Sequence, residues 1–147
     1  AIEKVIKPYK FGIIKVEHVN SNCEAILNMN EKDLEVMTKE DCVRAQFILV
    51  QYSMGLNRHI NNLRSKLEIN QQIFNKAVIK VWKSYDQYMG KDLILAAACA
   101  EYSYLNIMHN EILKLQAVIK DMDGMVERID RLAQTLKDLS FCKNKGY

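Results

Sequence analysis

"LNIMHNEILKLQAVIKDMDGMVERIDRLAQTLKDL", residues 105–139, decides the fold. Leu105, Met108, Ile112, Leu115, Ile119, Met122, Val126, Ile129, Ala133 and Leu136 alternate spacings of three and four without interruption. That alternation is the a/d seam of a heptad helix. Val118, Met125, Leu132 and Leu139 recur every seventh residue beside it, at g, while the e positions stay polar with His109, Gln116, Asp123, Asp130 and Lys137. A stripe built from a, d and g is wider than a two-stranded coil requires and predicts burial against more than one neighbour. Gly124 falls at f, on the solvent side.

Working back from this helix, Asp92 offers an N-cap, and the element is expected to run from about Asp92 to about Ser140. A first long helix precedes it. "TKED" (38–41) places Thr38 at an N-cap with acids in the first turn, and nothing forces a stop before Gly90, read as the C′ residue after Met89. Its apolar positions are Ala45, Leu49, Tyr52, Leu56, Ile60, Leu63, Leu67, Phe74, Val78, Val81, Tyr85 and Tyr88. Their spacing is nearer an 11-residue period than seven, which implies a straighter path. At about 1.5 Å per residue, two helices of about 50 residues would each reach about 75 Å. The short connection makes them antiparallel neighbours. The expected fold is all-α: two long antiparallel helices, a helical hairpin or coiled coil, with a short N-terminal helix, assembling as an oligomer. By domain, residues 1–37 read as an irregular segment with a short helix opened by the capping box "SNCE" (21–24) and running to about Met29, then the connector "NEKD". Residues 38–147 read as the hairpin. "FGIIKVEHV" (11–19) is a possible short strand.

The bulk numbers fit. At 147 residues, 49% hydrophobic and 27% charged, the chain is one ordinary domain's worth. No apolar run approaches the ~20 residues of a membrane span, since "LILAAACA" (93–100) meets Glu101 at once. "AIEKVIKPYK" has no basic region leading into an apolar stretch, so no secretory signal is visible. Cys23, Cys42, Cys99 and Cys142 lack C-x-x-C spacing and read as free thiols in a reducing, cytoplasmic setting.

A net charge of +3 conceals an asymmetry. From Cys42 to Tyr85 the bases Arg44, Arg58, Arg64, Lys66, Lys76, Lys80 and Lys83 face the single acid Glu68, whereas from Asp92 to Ser140 acids outnumber bases. Around the first helix Arg44, Gln51, Arg58, Asn62, Ser65, Lys76, Lys80 and Lys83 form a polar, basic stripe without an acid. Such a stripe is often a solvated face, yet solvated helices usually lace Lys with Glu at i,i+4. A row of cations binds phosphates by counterion release, with steep salt dependence. Trp82, on the border of the stripe, could stack a base beside Lys83 or pack at a subunit contact. The acidic face of the second helix in a neighbouring subunit is an alternative partner for the stripe. The candidate nucleic-acid contacts are Arg44, Arg58, Arg64, Lys66, Lys76, Lys80, Trp82, Lys83 and Lys91.

Chemistry-bearing motifs are absent. No Glu-x-x-His repeat, phosphate-binding glycine loop or nucleophile elbow occurs. His18, His59 and His109 lack ligand-spaced neighbours on a helical face, so neither a metal site nor a cofactor is expected. His59 and His109 read as flanks of the seam, the seven methionines as core filler, and the protein as no enzyme.

"YSMGLNRHINNLRSKLE" (52–68), "KVWKSYDQYMGK" (80–91) and "EILKLQAVIKDMDGMVERIDRLAQTLKDLSFCKN" (111–144) together resemble the UvsY family of phage recombination mediators over about residues 33–144. The resemblance implies a non-catalytic, ring-forming helical protein of the host cytoplasm. Such a protein would bind single-stranded DNA, help displace the single-strand-binding protein and load the recombinase. Lys80 and Lys83 match the family's basic residues before the glycine, with Lys76 and Lys91 beside them, although here Val81 and Trp82 separate them. The rival readings are a structural coiled-coil scaffold or tether subunit without nucleic acid, and a DNA-packaging protein of the small-terminase kind.

Overall fold

The computed structural model describes residues 21–145, with side chains from 23 to 143. The possible strand at 11–19 lies outside the described residues. Those residues form five helices and no strand: α1 (Ser21–Leu27), α2 (Glu31–Val36), α3 (Lys39–Trp82), α4 (Lys91–Glu101) and α5 (Ser103–Lys145). They divide into two compact units, one holding residues 61–120 and the other residues 21–60 with 121–145.

Helix starts follow side-chain chemistry. Thr38 caps α3 as expected: its hydroxyl accepts from the Asp41 amide at 3.1 Å, and the Asp41 carboxylate accepts from the Thr38 amide at 3.3 Å. "NEKD" is not a connector. Asn30 caps α2, with the Asn30 side chain accepting from the Asp33 amide at 2.9 Å and the Asp33 carboxylate accepting from the Asn30 amide at 3.0 Å.

Helix ends differ more from expectation. α3 stops at Trp82, not Met89. The Ser84 hydroxyl donates to the Val81 carbonyl at 2.7 Å, the Ser84 and Tyr85 amides reach back only three residues, and the Asp86 carboxylate takes the Tyr88 amide at 2.9 Å. These short polar side chains offer the backbone an alternative to the i→i−4 ladder. Gly90 accordingly is the N-cap of α4 with φ −63°, and Asp92 sits inside the first turn instead of capping it. Tyr85 is half-buried and Tyr88 is 87% exposed, so Tyr88 is not part of the seam. The second long helix is also divided. Tyr102 is extended (φ −111°, ψ 109°), its amide donating to Ala98 and its carbonyl accepting from Leu105 and Asn106. No helix-breaking residue type occurs there; the break is adjacent to Glu101, which accepts a hydrogen bond from Tyr85 outside the helix.

The heptad seam is buried within the chain. Leu105, Met108, Ile112, Ile119, Met122, Val126, Ile129, Ala133 and Leu136 are buried, Leu115 only partly, and Val118, Met125, Leu132 and Leu139 at g are half-buried. In the first unit Phe74 and Val78 of α3 pack with Ala98, Leu105, Met108 and Ile112, and Phe74 stacks on His109 at 5.5 Å between ring centroids. In the second unit α3 meets α5 through Ser53, buried, whose hydroxyl donates to the Asp130 carboxylate at 2.7 Å. Lys143 turns its ammonium onto the C-terminal carbonyls of α2, reaching Leu34 at 2.8 Å, Glu35 at 3.2 Å and also Met37. A cation at a helix C-terminus is where the helix dipole favours it.

Candidate nucleic-acid interface

The end of α3, the turn over residues 83–90 and the start of α4 meet in the first unit around a cavity of about 450 Å³. Asn75, Val78, Ile79 and Trp82 line it from α3, Lys83 from the turn, and Lys91 and Leu95 from α4. Because α3 ends at Trp82, the chain folds back at once and brings Lys91 to the same cavity as Lys83. Had the helix continued to Met89, Lys91 would have been carried about two turns further along the axis. Trp82 is half-buried: it packs against the core of Phe74 and Val78 and also lines the cavity. No acidic side chain among the described residues lines it, and Ile79, 65% exposed, adds apolar surface.

The remaining candidates do not converge there. At about 100° per residue, Lys66, Lys76 and Lys80 fall on one side of α3, about 120° to 160° around the axis from Trp82. They are exposed. The candidate contacts thus form two features, a lysine strip and a tryptophan cavity, which share a helix but not a bearing, and Lys83 goes with the cavity because α3 ends at Trp82. Arg64 lies on the bearing of Trp82 but 18 residues away, about 27 Å along the helix, and its guanidinium donates to the Asn61 side chain at 3.5 Å. Arg44 and Arg58 are exposed and belong to the other compact unit. Ion pairs among the described residues join Lys114 to Glu111 at 3.2 Å and Arg131 to Glu127 at 3.8 Å, both on α5. Lys76, Lys80, Lys83 and Lys91 make no such ion pair among the described residues, although Asp86 and Asp92 lie close to Lys83 and Lys91 in sequence.

Tyr85, read from the sequence as a seam residue, packs half-buried against the core of the first unit and also donates its hydroxyl to the Glu101 carboxylate at 2.5 Å. That hydrogen bond, helped by partial desolvation and the negative charge itself, pushes the phenol pKa up to about 12. It fastens the loop between α3 and α4 to the end of α4, the segment that carries Lys91. The contact was not visible in the sequence, because it joins a loop residue to a helix end and leaves no periodic trace. Burial also raises the thiol pKa of Cys99 and of Cys23.

Among the described residues no group of three His, Cys, Asp or Glu side chains could hold a metal ion, and no helix is long and apolar enough to cross a membrane. The four cysteines are free thiols. Comparison of the chain with protein-family models, with curated proteins and with solved structures returns no match.

Proposed function

We propose that this protein binds single-stranded DNA without catalysing a reaction on it, and serves as a recombination mediator that helps load a recombinase onto strands held by a single-strand-binding protein. The observation that carries the DNA-binding part is the placement of Trp82, Lys83 and Lys91 around one cavity whose described lining holds no acidic side chain. An indole face accepts any base, and stacking on it contributes about 1–3 kcal/mol per base. Two ammonium groups beside it neutralise the phosphates flanking a stacked nucleotide, a term that depends on counterion release and not on sequence. Asn75 adds an amide that can hydrogen-bond a base edge. Lys66, Lys76 and Lys80 on α3 extend the positive field that draws a polyanion to this unit. Recombinase loading rests on the resemblance to the UvsY family alone.

The test is binding of a labelled thymidine oligonucleotide across a salt series, for the wild type and for Lys83→Glu/Lys91→Glu, with Lys80→Glu/Lys83→Glu as a second pair. Each lost phosphate contact lowers the salt slope on single strands by about 0.7, so removing two flattens it by about 1.4. No binding by the wild-type protein at low salt overturns the proposal. A second reading, a coiled-coil scaffold without nucleic acid, is favoured by a separate apolar stripe on α3, described next. A preference for duplex over single strands would instead support the DNA-packaging alternative.

A further inference from the structure

Helix α3 carries a second apolar stripe that the described residues leave exposed. Val43, Phe47, Val50 and Met54 are 49%, 61%, 40% and 60% exposed, and their spacing of four, three and four is that of a heptad seam. They lie away from Ala45, Leu49 and Leu56, which enter the core of the second unit. At the head of the stripe, Lys39, Glu40, Val43, Arg44 and Phe47 line a hollow of about 420 Å³. Four of these, Glu40, Val43, Arg44 and Phe47, stand at i, i+3, i+4 and i+7, the four corners of the hole that receives a knob in coiled-coil packing.

We infer that this stripe is a self-association surface on which α3 of a second copy lies antiparallel. Side-chain volumes argue for a second copy in that direction. Reversing the stripe on itself sets Phe47 opposite Val50 and Met54 opposite Val43, so that every layer pairs a large side chain with a small one, as close packing prefers. The partner copy's methionine then enters the hollow framed by Glu40, Val43, Arg44 and Phe47. Each residue meets its opposite number twice, the reciprocity a two-fold interface requires. Charge is compatible with the same direction. The antiparallel register brings Glu40 beside Arg58 of the other copy at both ends, an opposite-charge pair repeated by the two-fold. The stems of Lys39 and Arg44 cover the rim while their charges stay in water. The stripe covers about three turns of one helix, short of the roughly 800 Å² per partner of a standard interface, so the association is reversible and not obligate. It is independent of the DNA reading, since its residues lie in the other compact unit from Trp82, Lys83 and Lys91.

Disulfide trapping distinguishes the alternatives. Chains carrying Val43→Cys are mixed with chains carrying Met54→Cys, all with the exposed Cys142 replaced by serine, and oxidised at micromolar concentration. Antiparallel pairing gives a covalent dimer in the mixture and none from Val43→Cys alone. Phe47→Glu, a change at an exposed position checked for unaltered helicity by circular dichroism, weakens self-association of the full chain by at least about tenfold in sedimentation. A covalent dimer from Val43→Cys alone shows parallel pairing and overturns the inference. So do a failure of the mixture to crosslink and an association unaffected by Phe47→Glu, either of which leaves the stripe to another protein.

Discussion

Asp130→Ala tests how α3 and α5 are held in register within the second unit. Ser53 is 4% exposed and its hydroxyl lies 2.7 Å from the Asp130 carboxylate. A hydrogen bond to a charged group contributes about 1.5–3 kcal/mol. Asp130 is itself exposed, which places this bond at the low end of that range. Once Asp130 is gone, the serine hydroxyl can turn back to the carbonyl one turn earlier in its own helix, which recovers part of the loss. The expected cost is therefore about 1–1.5 kcal/mol. In a chain of this size each kcal/mol lowers the melting temperature by about 2–4 °C, so the shift is about 2–6 °C. Alanine regains about 0.5 kcal/mol of helix propensity at either position, so the single variants understate the bond and their coupling isolates it. Urea unfolding followed at 222 nm for wild type, both single variants and the double variant forms a double-mutant cycle. Coupling of about 1 kcal/mol between the two positions is expected, and strictly additive effects would refute the pairing.

Three further outcomes follow from particular residues. Gly55 and Gly124 lie inside helices where an added Cβ meets nothing within 4 Å, so Gly55→Ala and Gly124→Ala should each raise unfolding free energy by up to about 1 kcal/mol in urea titrations; a loss at either position would show that its backbone is not helical. Lys143→Met removes the ammonium that takes the α2 carbonyls, and should hasten proteolytic cleavage within residues 28–38 while leaving the 61–120 unit intact; equal cleavage rates would refute the anchor. The Tyr85 phenol is pushed from its ordinary value of 10 up to about 12 by the Glu101 carboxylate, so it favours the folded state below pH 10 and that contribution vanishes as pH rises through about 12. The stability gap between wild type and Tyr85→Phe should close over that window, and the ultraviolet phenolate titration should lose one late-ionising group; a gap constant to pH 12 would contradict it.

What the sequence made legible was whatever periodicity or a local cap encodes. The a/d seam from Leu105 to Leu136 was readable because each member recurs at a fixed interval, and Thr38 was readable because its partner Asp41 is three residues away. The end of α3 was mislaid because no glycine or proline marks it; the signal lay in Ser84 and Asp86, side chains that bond their own backbone. That one misplacement scattered the site. Trp82, Lys83 and Lys91 were all named as candidates, but a helix drawn through to Met89 separates residues that the turn over 83–90 brings together. The stripe itself was legible from bearing, and Arg44, Arg58, Lys76 and Lys80 share it on α3; Lys83 leaves it because α3 ends at Trp82. The Val43 to Met54 stripe was overlooked for another reason: one helix carries two apolar faces, and the deeper face, from Ala45 to Ile60, accounts for the fold without it. Lys143 on α2 and Tyr85 on Glu101 leave no trace in any window of sequence, because their partners are set by tertiary packing.

Trp82 is the chain's single tryptophan, so its fluorescence reports on the candidate cavity and nothing else. Titrating the protein with a thymidine oligonucleotide at low salt should quench that emission, with half-saturation moving to higher concentration as salt is added and the quench lost in Lys83→Glu/Lys91→Glu. Emission unchanged through saturating oligonucleotide at low salt would contradict the placement of single-stranded DNA in this cavity.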